Sequence, residues 1–274
     1  MRAVVIVSLA FLSGAALAPP ALAGDDSWDG YLSGGLGTTR FSSSGLSENA
    51  WVGELRGTIE HTFADSLGIQ LDGGFNHQDI GFAEPGAYFN SLDFAVHGFY
   101  RQPGHWLFGA FAQYRDDRIG ASGFGESFDR YFAGAEAQVY FNKFSVYGQL
   151  AYQSMSIATV SAGGWVGNVR ARYFVKPNWF VEGNGGFGTL AAMGERLDTL
   201  TFGAGTEFRL GSAPIGAYLH YAHTRLSGIG SSDALNTDAL TVGLKWGLDG
   251  RTLWNRETSG ASLDPVAPQV LPIF

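Results

Sequence analysis

Apolar and polar residues alternate with a period of two along most of this chain. From Leu67 to Asn76, one face carries Leu67, Ile69, Leu71, Gly73 and Phe75, and the other carries Gly68, Gln70, Asp72, Gly74 and Asn76. From Leu240 to Leu248, Leu240, Val242, Leu244, Trp246 and Leu248 oppose Thr241, Gly243, Lys245 and Gly247. The segment from Trp165 to Val175 sorts Trp165, Val169, Ala171, Tyr173 and Val175 from Asn168, Arg170 and Arg172. This is the pattern of strands with one apolar and one polar face. After residue 23 no stretch stays apolar for the 18 or so residues a membrane helix needs.

A soluble sandwich also alternates, so the spacing of turns carries more weight. Tight turn signals fall at Ala64-Asp65-Ser66, Gln102-Pro103-Gly104, Asn142-Lys143, Lys176-Pro177-Asn178 and Gly211-Ser212-Ala213-Pro214. Longer polar, Gly-rich segments lie between them, at 42–48, 77–86, 116–127, 154–164, 192–198 and 227–238. Short turns alternating with longer loops predict the two ends of a transmembrane antiparallel up-and-down β-barrel, an all-β fold. The strands fall near 28–41, 49–63, 67–77, 89–101, 105–116, 127–141, 144–154, 165–176, 179–191, 198–210, 214–226 and 238–248, about twelve, with ten also compatible. An even number places both termini on the periplasmic side, with the short turns. Phe63, Tyr100, Trp106, Phe141, Phe144, Tyr173, Trp179 and Phe208 all sit close to a short turn, as an aromatic girdle at the headgroup level requires. Beyond Leu248 the alternation ends; residues 249–274, with Pro265, Pro268 and Pro272, read as a mobile periplasmic tail.

The N-terminus fixes the expected compartment. Arg2 is the sole charge before Asp25, an apolar run spans Val4 to Leu17, and Ala21-Leu22-Ala23 has a small-x-small cleavage pattern. This predicts a secretory signal peptide over 1–23, cleaved near Ala23, and a barrel domain over 24–248 delivered to a bacterial outer membrane. Composition agrees: 40 glycines in 274 residues, aromatics at 14% and charged residues at only 15% suit a wall that faces lipid. A net charge of −8 argues against nucleic acid as a partner, and the absence of cysteine excludes disulfides and thiolate chemistry.

Thr241-Val242-Gly243-Leu244-Lys245-Trp246-Gly247-Leu248 reads polar-x-Gly-x-x-apolar-x-apolar. It resembles the signal that outer-membrane proteins present on their last strand to the barrel-assembly machinery, with Thr241, Gly243, Trp246 and Leu248 at its key positions. The chain from 28 to 248 as a whole looks like the broad porin-like group of outer-membrane barrels. The resemblance implies outer-membrane lipids and the assembly machinery as partners. It departs from many members in that residues 249–274 follow the signal, which leaves open a plug or a periplasmic contact.

With the apolar face on lipid, the polar face lines the lumen, since a charge at the bilayer midplane costs roughly 2–4 kcal/mol. Arg170, Arg172 and Lys176 share one strand, and Arg115 and Arg130 are close in sequence. Such a basic set predicts a narrow passive channel for small polar or anionic solutes. The same arginines, paired with Glu136, Glu182 and Glu207, would instead make a closed, salt-bridged structural or interaction barrel. A third class, a lipid hydrolase, would need a nucleophile and a base in reach; His77 and His223 near the outer loops, with Ser227 and Ser231, are its candidates. No Gly-x-Ser-x-Gly elbow occurs, so the expectation is not an enzyme. Asp116-Asp117 reads as a solvated loop pair, and no spacing indicates a metal site or a cofactor.

Overall fold

The computed structural model describes residues 27–43, 46–63, 66–80, 86–121, 124–157, 160–192, 195–211, 213–228 and 231–266. The expected signal peptide and its cleavage at Ala23 lie outside these residues. Twelve strands occur among them: Ser27–Ser43 (β1), Leu46–Phe63 (β2), Leu67–Asp79 (β3), Tyr88–Gln102 (β4), Trp106–Ala121 (β5), Phe124–Phe141 (β6), Phe144–Ile157 (β7), Val160–Lys176 (β8), Trp179–Ala192 (β9), Glu195–Arg209 (β10), Ile215–Gly228 (β11) and Ser231–Gly247 (β12). Each pairs antiparallel with its sequence neighbours, and β1 pairs with β12 to close the barrel. A short helix, Leu253–Ser259 (α1), follows.

Alternation sorts the wall as expected. Leu32, Leu36, Leu55, Ile69, Leu71, Phe94, Val169, Leu200, Leu219 and Val242 all point outward and are exposed. Around the short turns, Phe63, Tyr100, Phe141, Phe144, Tyr173, Trp179 and Phe208 also face out, and Tyr100 lies 5.5 Å from Trp106, ring to ring. A second ring of exposed aromatics, Trp51, Tyr88, Tyr131, Tyr152, Trp165 and Tyr221, marks the other end of the strands. An apolar band between two aromatic belts is the surface a bilayer requires.

The outer loops are shorter than the sequence suggested. β5 and β6 pair out to Ala121 and Phe124, β9 and β10 to Ala192 and Glu195, and β7 and β8 to Ile157 and Val160. Strands run from 13 residues in β3 to 18 in β2 and β6, against roughly 9–11 needed to cross. Towards the outer end inward positions such as Phe89, Phe128 and Leu226 are apolar as well, so the alternation fades while main-chain pairing continues. Asp116 and Asp117 therefore lie on β5, not in a loop: Asp117 is buried in the lumen beside Arg130, and Asp116 faces out beside Arg118.

The larger correction concerns residues 249–274. Their described part, to Val266, does not hang outside as a periplasmic tail. Thr252 caps α1 by accepting from the Asn255 N–H, α1 starts against the β8–β9 turn, and residues 260–266 then climb inside the barrel. Leu253, Ala261, Leu263 and Val266 are each at most 5% exposed.

Candidate functional site: the plugged lumen

The lumen is built by the inward half of each strand, and its end beside the short turns, the expected periplasmic end, is filled by the chain's own C-terminal segment. Three apolar contacts seat that segment. Leu253 packs on Phe174 and Phe180, Leu263 on Phe99, Leu107 and Tyr147, and Val266 on Phe111, Phe132, Ala151 and Val166. These inward aromatic and aliphatic residues break the apolar-out, polar-in rule of an aqueous pore. They are where the segment is received.

Polar groups fix it between those contacts. Glu257 of α1 accepts from Arg172 Nη1 at 2.5 Å, from Gln138 Nε2 at 2.6 Å and from the Ser145 hydroxyl. Burial pushes the Glu257 carboxyl up, but the Arg172 and Arg170 guanidiniums and the Ser145 hydrogen bond outweigh it and hold the group below its ordinary range. Arg101, held two-pronged on Glu60 at 2.6 and 3.1 Å, donates to the Gly260 carbonyl at 2.8 Å. Asp29 accepts from the Ala261 N–H at 2.9 Å. Arg170 donates to the Ser262 carbonyl at 3.1 Å and pairs with Asp264, and Arg115 donates to the Val266 carbonyl.

The residues expected to set selectivity are therefore engaged already. Arg172 bridges Glu182 at 2.7 Å and Glu257. Arg130 pairs with Asp117, and Lys245 with Glu207 at 2.6 Å. Glu136 accepts from the Tyr147 hydroxyl at 2.7 Å and sits 2.9 Å from His97, whose other nitrogen lies 3.4 Å from Asp72. Lys176 is exposed beside the β8–β9 turn, apart from this group. The expected ladder of cations is thus an interleaved network in which arginines face acids, because a guanidinium buried this deeply is stable only when compensated. Sequence reasoning put Gln70 and Gln113 on the lumen face, as found, but missed Asp29, Ser145 and Glu257; the last lay in a segment read as a mobile tail.

Above the segment, a cavity of about 260 Å³ remains in the middle of the barrel, floored by Asp264 and Pro265. Among its lining groups, four cations (Arg56, Arg170, Arg172, Lys245) match four carboxylates (Glu54, Asp93, Glu182, Asp264), and Gln149, Asn168 and Asn184 add neutral donors and acceptors. Near the outer end the wall turns apolar inward: Phe89, Phe128, Met155, Ala162, Leu197 and Leu226 form one buried cluster, with Ile119, Leu190 and Leu235 against it.

Of the assembly-signal residues, Thr241, Gly243 and Trp246 lie on the closing strand β12, and Leu248 directly follows it. Thr241 and Gly243 face in, Trp246 and Leu248 face out. A Cβ at Gly243 would collide with the Gly34 carbonyl and the Tyr218 ring, so the glycine has a packing reason of its own. Of the hydrolase candidates, His77 faces outward near the rim with Nδ1 2.6 Å from Asn90 Oδ1, and His223 lies 2.9 Å from Asp238.

Several solved structures share this architecture. An outer membrane channel from Pseudomonas putida aligns at a TM-score of 0.57 and 14% identity, over 81% of this chain and 95% of that one. The translocator domain of the autotransporter NalP from Neisseria meningitidis aligns at 0.52 and 12%, over 82% and 89%. The chain has the fold of a bacterial outer-membrane barrel. The β domain of the Bordetella autotransporter BrkA, at a TM-score of 0.51 and 12% identity over 80% of this chain and 99% of that one, shows that this barrel fold extends beyond channels. No protein-family model matches the sequence, and no curated protein matches it.

Proposed function

We propose that this outer-membrane barrel is a channel for small polar solutes that its own C-terminal segment holds shut. The observation that carries this reading is the polar cavity in the middle of the barrel, which Asp264 and Pro265 of the segment line on one side. The wall makes its ladder hydrogen bonds strand to strand without the segment, so the segment can leave while the barrel stays closed on itself. Charge balance in the cavity favours polar solutes in general over anions in particular. The proposal includes export by an N-terminal signal cleaved near Ala23, which N-terminal sequencing of the membrane-inserted protein reads directly, and insertion through the assembly machinery by β12.

Single-channel recording tests it. The full chain is expected to stay silent or open rarely, and a chain ending at Gly250 to give sustained discrete steps. A folded, heat-modifiable truncated barrel that never conducts would overturn the proposal. That result would support the second reading, a structural barrel with a permanently filled lumen, which the apolar cluster around Phe89 and Phe128 favours.

A further inference from the structure

Two buried glutamines hold the plug by its main chain. Gln70 Nε2 donates to the Leu263 carbonyl at 2.8 Å, and its Oε1 accepts from the Leu263 N–H at 3.3 Å. Gln113 repeats this on Val266, donating to the carbonyl at 3.2 Å and accepting from the N–H at 2.8 Å. A side-chain amide offers a donor and an acceptor on one edge, the same pair that a neighbouring strand offers. Such a clamp recognises a polypeptide whatever its side chains are. A lumen meant solely for small solutes has no need of it.

Side-chain preference comes from what lies between the clamps. Leu263 enters the Phe99–Leu107–Tyr147 pocket, and Val266 enters the pocket of Phe111, Phe132 and Ala151. Arg170 pairs with the acid between them, Asp264. The seat therefore reads an apolar-acidic-x-apolar peptide. Its entrance is at the end where α1 begins, beside the β8–β9 turn; the opposite end is narrowed by the cluster around Phe89 and Phe128.

We propose that this seat is a peptide-binding site: a segment of a second polypeptide with that pattern, arriving from the periplasmic side, takes the place of the C-terminal segment. The proposal rests on the reading that the segment leaves an intact barrel, but not on conduction. A covalently tethered segment competes at an effective concentration in the millimolar range, so its own occupancy must be weakened for a free peptide to register.

The test uses the full chain carrying Leu263→Asp, which puts a charge into the apolar pocket and expels the resident segment. A labelled peptide with the sequence of residues 259–266 is titrated in detergent and read by anisotropy. Saturable binding is expected. It should weaken at least tenfold when the leucine and valine amides of the peptide are N-methylated, and at least tenfold when Gln70→Leu and Gln113→Leu are added to the barrel. No saturable binding to the folded variant would overturn the proposal, and so would equal binding of the methylated peptide. Should Leu263→Asp not fold, millimolar peptide must shift the emission of Trp254 in a full chain whose six other tryptophans are replaced by phenylalanine, and an unmoved spectrum is the overturning result. Binding by a barrel that never conducts sinks the channel reading alone; a truncated barrel that conducts but binds no peptide sinks this one alone.

Discussion

The two ends of the lumen are narrowed by different means. At the periplasmic end the filling is one covalent segment, α1 and residues 260–266, placed across strands that are complete without it. At the outer end the narrowing is the wall itself, with Phe89, Phe128, Met155, Leu197 and Leu226 each rooted in a strand. A segment can be withdrawn whole at the cost of its own contacts. Wall side chains can only change rotamer or shift with their strands. The periplasmic closure is thus suited to a switch and the outer one to a fixed constriction.

Removing the segment is the most drastic way to break that asymmetry. Ending the chain at Gly250 should raise conductance from near silence to sustained openings, measured in planar bilayers. Next comes Glu257→Ala, which strips Arg172 of one acid and leaves Gln138 and Ser145 without their acceptor. Loss of one partner of a buried pair costs about 3 kcal/mol even at the low end, so the open fraction should rise roughly a hundredfold. Leu263→Ala empties the Phe99–Leu107–Tyr147 pocket; a buried Leu→Ala change costs about 2–5 kcal/mol, and here the low end applies because the segment can settle. Its openings should lengthen while the thermal unfolding of the barrel moves little.

At the outer end, Phe128→Ala should do nothing measurable to the full chain but enlarge the step size of the truncated one. An equal effect in both would contradict two closures in series. Acid gives the smallest effect. The Glu257 carboxyl is held below its ordinary value in the folded state, so its contribution is present above the unfolded value near 4.3 and is lost as pH falls through the lower folded value. Open probability of the full chain should rise below about pH 4, and Glu257→Gln should flatten that rise.

Much of the wall was legible in the sequence. Period-two alternation, short turns and aromatics tracking those turns placed twelve strands and the lipid face, because lipid imposes one rule on every outward position. The lumen was less legible, for a reason visible in particular residues. Phe99-Tyr100, Leu107-Phe108, Tyr173-Phe174 and Trp179-Phe180 are adjacent apolar pairs in which one member faces in. They interrupt the alternation, and four interruptions near short turns were the available sign that something apolar sits inside that end. The segment it receives lacks periodicity because it is held by individual contacts and not by a repeating ladder. The partners of Arg170 and Arg172 lie partly in that segment, so pairing could not be read from the strands alone.

The most direct test of the central claim locates residue 263. The chain has no cysteine, so Leu263→Cys with Phe99→Cys introduces a single unambiguous pair. In the folded, membrane-inserted protein a short bifunctional thiol reagent should cross-link the two in high yield, keep the barrel silent at every pH, and fail to link them after heat unfolding. Free thiols at residue 263 that react with a bulky reagent as fast as those of an unfolded chain would place the segment outside the lumen and contradict the account.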